Sequence, residues 1–254
     1  MSDNFNTSDV SSTLIEISRG KISGATPFAS YGRYVATGAI TDQIIWPGGV
    51  YSLPPATGVQ MTLVSTSTSD AAGQTGIQSV HIHYLDNQLY ERVETLALNG
   101  TTPVTTVATN IRFIQCLHMA TYGTGKKAAG TISATNGGNT YAQIASGSMR
   151  CASSVRMVPK GKKLFVNALS AGSSSGSAAA SVIVKFVGTY LEGQDYSADS
   201  VFLPYSSTAL QDNAEAIVLP VPFSFGEGIA VGMMCTTDKA ATIVGSWFGW
   251  LETV

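Results

Sequence analysis

Short β-branched or alternating runs, each ended by Gly, Pro, Asn or Asp, recur along the chain. In the first part they include Thr13–Ile17, Val59–Ser65, Gln78–Leu85, Ile111–Met119, Gly130–Thr135 and Tyr141–Ala145. Ser154–Val158, Lys163–Leu169, Ala180–Thr189, Ala216–Leu219, Gly228–Cys235 and Thr242–Leu251 continue the pattern. Many short strands at this spacing predict a sandwich or barrel and not βαβ units. The breakers between them are explicit: Trp46-Pro47-Gly48-Gly49, Leu53-Pro54-Pro55, Asn136-Gly137-Gly138-Asn139 and Gly172-Ser173-Ser174-Ser175-Gly176. Composition points the same way. Of 254 residues, 29 are Ser and 27 are Thr, and a charged share of only 12% stands beside a hydrophobic share of 44%. A disordered chain needs high charge and few apolar residues. A helical bundle needs better helix formers than Ser, Thr, Gly and Val. An all-β globular chain remains.

The runs divide into two sets with a boundary near residue 146, each long enough for a sandwich of its own. The expected organisation is an extended N-terminal arm over 1–55, a first β-sandwich over 56–146 and a second over 147–254, both jelly-roll-like. Part of the arm could add strands to the first sandwich. The arm is polar, Gly-rich and weakly patterned, as suits a segment that covers another surface. One stretch reads two ways. Leu85, Leu89, Val93 and Leu96 fit an amphipathic helix capped by Asp86. They also fit a hairpin of Gln78–Leu85 and Tyr90–Leu98 turning at Asp86-Asn87, which the all-β surroundings favour.

A formal net charge of −2 gives no electrostatic reason to expect a nucleic-acid partner. Lys160, Lys162 and Lys163 cluster around a Pro-Lys-Gly turn and read as a solvated turn. Cys116, Cys151 and Cys235 are odd in number, far apart and without CxxC spacing. They are expected to be reduced, mostly buried thiols with neither a disulfide framework nor a zinc knuckle. The polar, acidic start MSDNFNTSDVSS predicts no secretory signal. No apolar run approaches the ~20 residues of a membrane helix.

His81-Ile82-His83 is the sharpest chemical candidate, because alternate strand residues share a face and two imidazoles there could reach one metal. His118 could be a third ligand, with Glu91 or Glu94 as the carboxylate. The jelly-roll metalloenzyme pattern wants a Glu nearer the pair, where this chain has only Asp86 in the presumed turn. A polar, outward strand side is the plainer account. No G-x-S-x-G is present, and abundant serines empty any Ser/His/Asp combination of meaning. Gly123-Thr124-Gly125-Lys126-Lys127 lacks both the leading glycine of a phosphate loop and the Ser or Thr after its lysine, so it reads as a hairpin loop. No catalytic, cofactor-binding or metal-binding residue is assigned, and no enzymatic activity is expected. Trp247, Phe248 and Trp250 crowd the last strand. Either two sheets cover both of its faces, or one face packs on a neighbouring subunit.

Leu85-Asp86-Asn87 through Glu91-Arg92-Val93-Glu94-Thr95-Leu96-Ala97-Leu98-Asn99-Gly100-Thr101-Thr102-Pro103-Val104 resembles a recurrent hairpin of tailed-bacteriophage virion structural proteins. An Arg-containing strand (Ile111-Arg112-Phe113) and a G-x-I strand (Gly130-Thr131-Ile132) follow it, as they do there. Val155-Arg156-Met157-Val158-Pro159-Lys160-Gly161-Lys162-Lys163-Leu164-Phe165-Val166 is similar to the opening of their second β-domain. That domain closes with strands like Gly228–Val231 and Val244–Leu251. The resemblance runs in order over roughly 57–254. It departs at Lys160, where a small residue is usual, and at the His81/His83 pair. It implies a non-enzymatic virion component, a capsid decoration (cement) or collar protein assembled in the host cytoplasm. Such a protein forms a homo-oligomer, preferably a trimer, on a major capsid or neck/tail protein, and takes no cofactor, nucleic acid or membrane. A receptor- or carbohydrate-binding spike is the alternative, using the loops at Trp46–Tyr51 or Ser170–Ser177. A cupin-like metalloenzyme centred on His81, His83 and His118 is the lesser one.

Overall fold

The computed structural model describes residues 15–175, 180–189, 201–202, 208–210 and 214–254, with the backbone alone at 201–202, 208–210 and Pro220. In chain order the strands are β1 (Ala25–Ala36), β2 (Ile40–Ile44), β3 (Thr62–Ser65), β4 (Ile77–Asp86), β5 (Glu91–Ala97), β6 (Val104–Thr105), β7 (Ile111–Tyr122), β8 (Ile132–Asn136) and β9 (Asn139–Ile144). Then come β10 (Arg156–Met157), β11 (Lys162–Ser174), β12 (Val182–Thr189), β13 (Val201–Phe202), β14 (Thr208–Leu210), β15 (Ala214–Phe225), β16 (Ala230–Thr237) and β17 (Ala241–Thr253). The fold is all-β, as the spacing of runs and breakers predicts.

Four antiparallel sheets pair off around two cores. Sheets β6-β3-β8-β9 and β5-β4-β7 enclose a core that includes Met61, Leu63, Ile82, Leu117 and Ile132. Sheet β1-β17-β11-β15 faces sheet β10-β16-β12-β13, to which β14 and β2 add at β12 and β16. Phe186, Leu164, Val231, Ile243 and Trp247 lie between them. Alternation explains the second core: in β17 every odd residue from Ala241 to Leu251 is buried, the period of a strand with one face inward.

Residues 1–55 do not form a separate arm in their described part. β1 pairs with β17 along all of Ala25–Ala36, and β2 pairs with β16, so this stretch completes both sheets of the second sandwich and none of the first. Thr13–Ile17 is also not a strand where it is described. Ile15–Ser18 form one helical turn, with the Ser18 hydroxyl on the Ile15 carbonyl, and Ile17 caps Trp250 and Ala25. The inward face of β1 explains why it is hard to read, because it carries Ser30 and Gly32 among Phe28, Tyr34 and Ala36. Gly32 is required by close approach. A Cβ there would overlap the Ile45 carbonyl and stand 2.6 Å from the Ser154 nitrogen.

The segment Leu85–Leu98 is a hairpin and not a helix. Asp86 settles it: Oδ1 accepts the Gln88 and Tyr90 amides, and Oδ2 accepts Arg92 Nε at 3.1 Å. Leu89 takes φ 67° and turns its side chain into a third cluster with Trp46, Tyr51, Phe113, Met157 and Ala230. That cluster draws on strands of both sandwiches and joins them. Gln115 reinforces the join, since its amide both donates to and accepts from the Met157 backbone.

Within the first sandwich, the 65–77 connection is held by a buried carboxylate. Asp70 is fully buried and accepts from Ser65 Oγ at 2.6 Å and from the Ile77, Ala129 and Gly130 amides at 2.9, 2.9 and 2.8 Å. Asp70→Ala leaves these donors unsatisfied inside the protein, and is expected to lower unfolding free energy by about 4 kcal/mol. Gly32→Ala forces β1 off Ile45 and Ser154 and is expected to cost about 2 kcal/mol or more. Urea titration followed by Trp fluorescence checks both, and unchanged midpoints would refute the two assignments.

Candidate functional site

The three histidines of the chain meet on one face of sheet β5-β4-β7. Alternation along β4 puts His81 and His83 outward while Ile82 is fully buried. The β4–β7 register sets His118 opposite His81. The ring centroids of His118 lie 5.1 Å from His81 and 4.8 Å from His83, and His83 and His118 stack at 25°. His81 Nδ1 shares a 2.8 Å hydrogen bond with Thr95 Oγ1 on β5, and Arg150 is bridged to His118. Burial and the neighbouring His81 hold the His83 pKa below its ordinary value, against the pull of Glu91. Burial, His83, His81 and Arg150 do the same to His118.

Of the two carboxylates expected to complete a metal site, Glu91 lines the cleft beside His83 and Glu94 is engaged elsewhere. Glu94 accepts the Val107 and Ala108 amides at 2.7 and 3.1 Å, and Asp86 closes the hairpin. Stacked imidazoles present their ring nitrogens in parallel planes, whereas a metal needs them convergent. Among the described residues, no three His, Cys, Asp or Glu side chains are grouped so as to hold a metal ion.

Beside His83 a cleft of about 320 Å³ opens between the sandwiches, lined by Phe28, Glu91, Gln115, Cys116 and Arg156 among others. Cys116 is half-buried there and Cys151 lies buried behind it, with the two sulfurs 3.6 Å apart. The Leu117 amide donates to Cys151 Sγ at 3.4 Å. The hydrogen bond with the Cys116 thiol, the Arg156 guanidinium and the Leu117 and Ser153 amides hold the Cys151 thiol low against burial. The same sulfur contact and burial push Cys116 up. Cys235 is a separate thiol, raised to about 12 by burial and Asp42. All three are free. The approach of Cys116 and Cys151, 35 positions apart, has no signal in their spacing.

The remaining candidates disperse. The Gly123–Lys127 segment is a turn whose Gly123, Gly125 and Lys126 amides are spent on Gly76, Thr75 and Gly123 carbonyls, leaving no cradle for phosphate. Lys160 pairs with Glu227 at 3.1 Å, Lys162 donates to Thr253, and Lys163 sits over the Phe165 ring. Trp46 and Tyr51 point inward, edge to face at 5.1 Å, with Trp46 Nε1 on the Gly49 carbonyl. They therefore offer no aromatic platform to a glycan. Ser170–Ser174 belong to β11, and residues 176–177 lie outside the described residues. On the last strand, Trp247 is buried between the sheets and Trp250 stacks on Phe165. Phe248 stays half exposed. No helix among the described residues is long and apolar enough to cross a membrane.

The histidine face makes stability depend on pH. His83 and His118 are depressed in the folded chain relative to 6.5, so below that value the unfolded chain binds more protons. Their stabilising effect is complete above about pH 6.5 and declines as pH falls through it toward the folded values. Melting temperature is expected to drop between about pH 7.5 and about pH 5.5. The His83→Gln/His118→Gln double variant is expected to flatten that drop, and an equal slope in the variant would refute the assignment.

No protein-family model matches the chain, and no curated protein does. Among solved structures it is similar to a chain of the infectious bursal disease virus Gt strain at 8% identity. That overlap covers 91% of this chain and 77% of the other, with a TM-score of 0.18. The infectious bursal disease virus VP2 subviral particle overlaps at 8% identity over 90% and 76%, with a TM-score of 0.12. Overlaps at these TM-scores carry no weight for fold or function.

Proposed function

We propose that the chain is a non-enzymatic structural component of a tailed-phage virion, a capsid decoration or collar protein acting as a symmetric homo-oligomer, with a trimer preferred. The observation that carries this reading is the outward face of sheet β1-β17-β11-β15. Register places Ala29, Phe248, Ala168 and Val218 in one row across the four strands. Tyr31, Ser246, Ser170 and Ala216 form the next row. Phe248 is 50% exposed, Val218 71%, Tyr31 40% and Val35 50%. From Ala29 to Val35 and across their partners, Arg33 is the one charged residue facing outward. An apolar, nearly uncharged sheet face of this kind marks a surface that another subunit covers.

The phage-like motifs support the family. The first of them builds the β4–β5 hairpin, and the second opens the second sandwich at β10 and β11. In such a protein the activity is burial. Each sandwich encloses its own core, and copies then bury further apolar area between them, offset in part by lost translational and rotational freedom. A closed ring in which every copy shares two interfaces gains most from that balance.

Light scattering on the full chain tests it. The expected mass is three times the 26.4 kDa of the chain. A Phe248→Asp/Val218→Asp variant is expected to fall to the monomer mass with an unchanged circular-dichroism spectrum. A monomeric wild type at high protein concentration would overturn the proposal, as would a variant that keeps the oligomer.

A further inference from the structure

We propose that Cys116 and Cys151 form a redox pair that closes to an intrachain disulfide when a small-molecule disulfide enters the cleft beside His83. The geometry is specific to this pair. The sulfurs are 3.6 Å apart, so rotation of the two side chains must shorten the gap by about 1.5 Å to reach a covalent S–S length of about 2.05 Å. Access is unequal. Cys116 lines the open cleft with Gln115 and Arg156, while Cys151 is 3% exposed and lies behind Cys116. Polar groups favour sulfur at this position: the Leu117 amide donates to Cys151 Sγ, and the Arg156 guanidinium helps to hold the Cys151 thiol low.

The exchange balances in two steps. Cys116 attacks one sulfur of the small disulfide, the small S–S bond breaks, and the Cys116 proton leaves on the first small thiol. Cys151 keeps its own proton through this step. Cys151 then attacks Cys116 Sγ, the mixed disulfide breaks, and the Cys151 proton leaves on the second small thiol. Two protein thiols are oxidised by two electrons and one small disulfide is reduced to two thiols.

The position gives the bond a consequence. Cys116 is on β7 of the first sandwich, and Cys151 opens the segment that crosses to β10 of the second. The Cys151 amide is already bonded to the Leu117 carbonyl at 2.8 Å. A disulfide here locks the crossing segment to β7 beside the cluster that joins the sandwiches. The pair does not depend on the assembly reading above, and oligomer mass plays no part in its test.

The full chain is equilibrated with oxidised and reduced glutathione at increasing ratios, quenched in acid, unfolded and alkylated. Oxidised protein is expected to take one alkyl group, at Cys235, in place of three, with a peptide map linking Cys116 to Cys151. Its melting temperature is expected to rise by about 5 °C, reversed by reductant. Cys151→Ser is expected to accumulate one glutathione on Cys116, and Cys116→Ser is expected to form neither bond nor adduct. Three alkylated cysteines in the wild type at high oxidant would overturn the proposal. A stable glutathione adduct on wild-type Cys116, or a link to Cys235, would do the same.

Discussion

Ser154 holds the fold at the place where its parts meet. It is fully buried, and every polar atom it carries is used. Its amide donates to the Ile45 carbonyl at 3.1 Å. Its hydroxyl exchanges hydrogen bonds with the Met233 backbone at 3.1 and 3.2 Å, and its carbonyl accepts Trp247 Nε1 at 2.8 Å. One small residue thus ties the β2 exit, β16 and β17 to the crossing segment. Its neighbours extend the seam to β1, through Ser30 Oγ on the Ser153 carbonyl and the Arg33 amide on the Ala152 carbonyl. A larger side chain could not sit there, and an apolar one would strand the Met233 groups. Gly32, pressed on the same residue, is the complementary requirement.

This arrangement shows what a hydroxyl-rich, charge-poor sequence gains. Buried hydroxyls complete backbone pairing where strands bulge or cross: Thr106 Oγ1 on the Met61 and Ala108 carbonyls, Thr237 Oγ1 on the Lys239 carbonyl, Ser65 Oγ on Asp70. Such groups are short, so they satisfy local donors without the entropy and desolvation that longer polar side chains carry. Much of the fold was therefore legible from alternation and breakers, including the hairpin at Asp86, the strands β3 to β5 and the strands β7 to β9. β1 was not legible. Its inward positions are set by close approach to Ile45 and Ser154, which demands Ser and Gly and erases the apolar period.

The candidate site divides in the same way. Alternation in His81-Ile82-His83 already put two imidazoles on one face, and the β4–β7 register added His118. Ring orientation is a property of packing, and it stacks His83 on His118 instead of converging them on an ion. Two of the carboxylates near them in sequence serve backbone amides, Glu94 at Val107 and Ala108 and Asp86 at the turn, while Glu91 lines the cleft with His83. The Cys116–Cys151 approach was invisible because it depends on where the crossing segment lies against β7, a long-range fact with no local periodicity. Trp46 and Tyr51 illustrate the opposite error of reading aromatic residues beside Pro and Gly as an exposed loop, when they fill the junction between sandwiches.

The role of the N-terminal stretch ties the fold to the proposed assembly. A polar segment with weak pattern suggests an arm reaching to a neighbour, yet Ala25–Ala36 is the edge strand of the very sheet whose outer face is apolar. Tyr31 and Val35 stand on that strand, and Phe248 stands on its partner. The complete face needs β1 paired with β17, and β1 is also tied to the crossing segment through the Ala152 and Ser153 carbonyls. A chain whose β1 is undocked therefore presents neither the complete sheet nor the surface that copies would share. In the proposed assembly, completion of the monomer is a condition for association, which would keep partly folded chains with open β17 edges out of a growing oligomer.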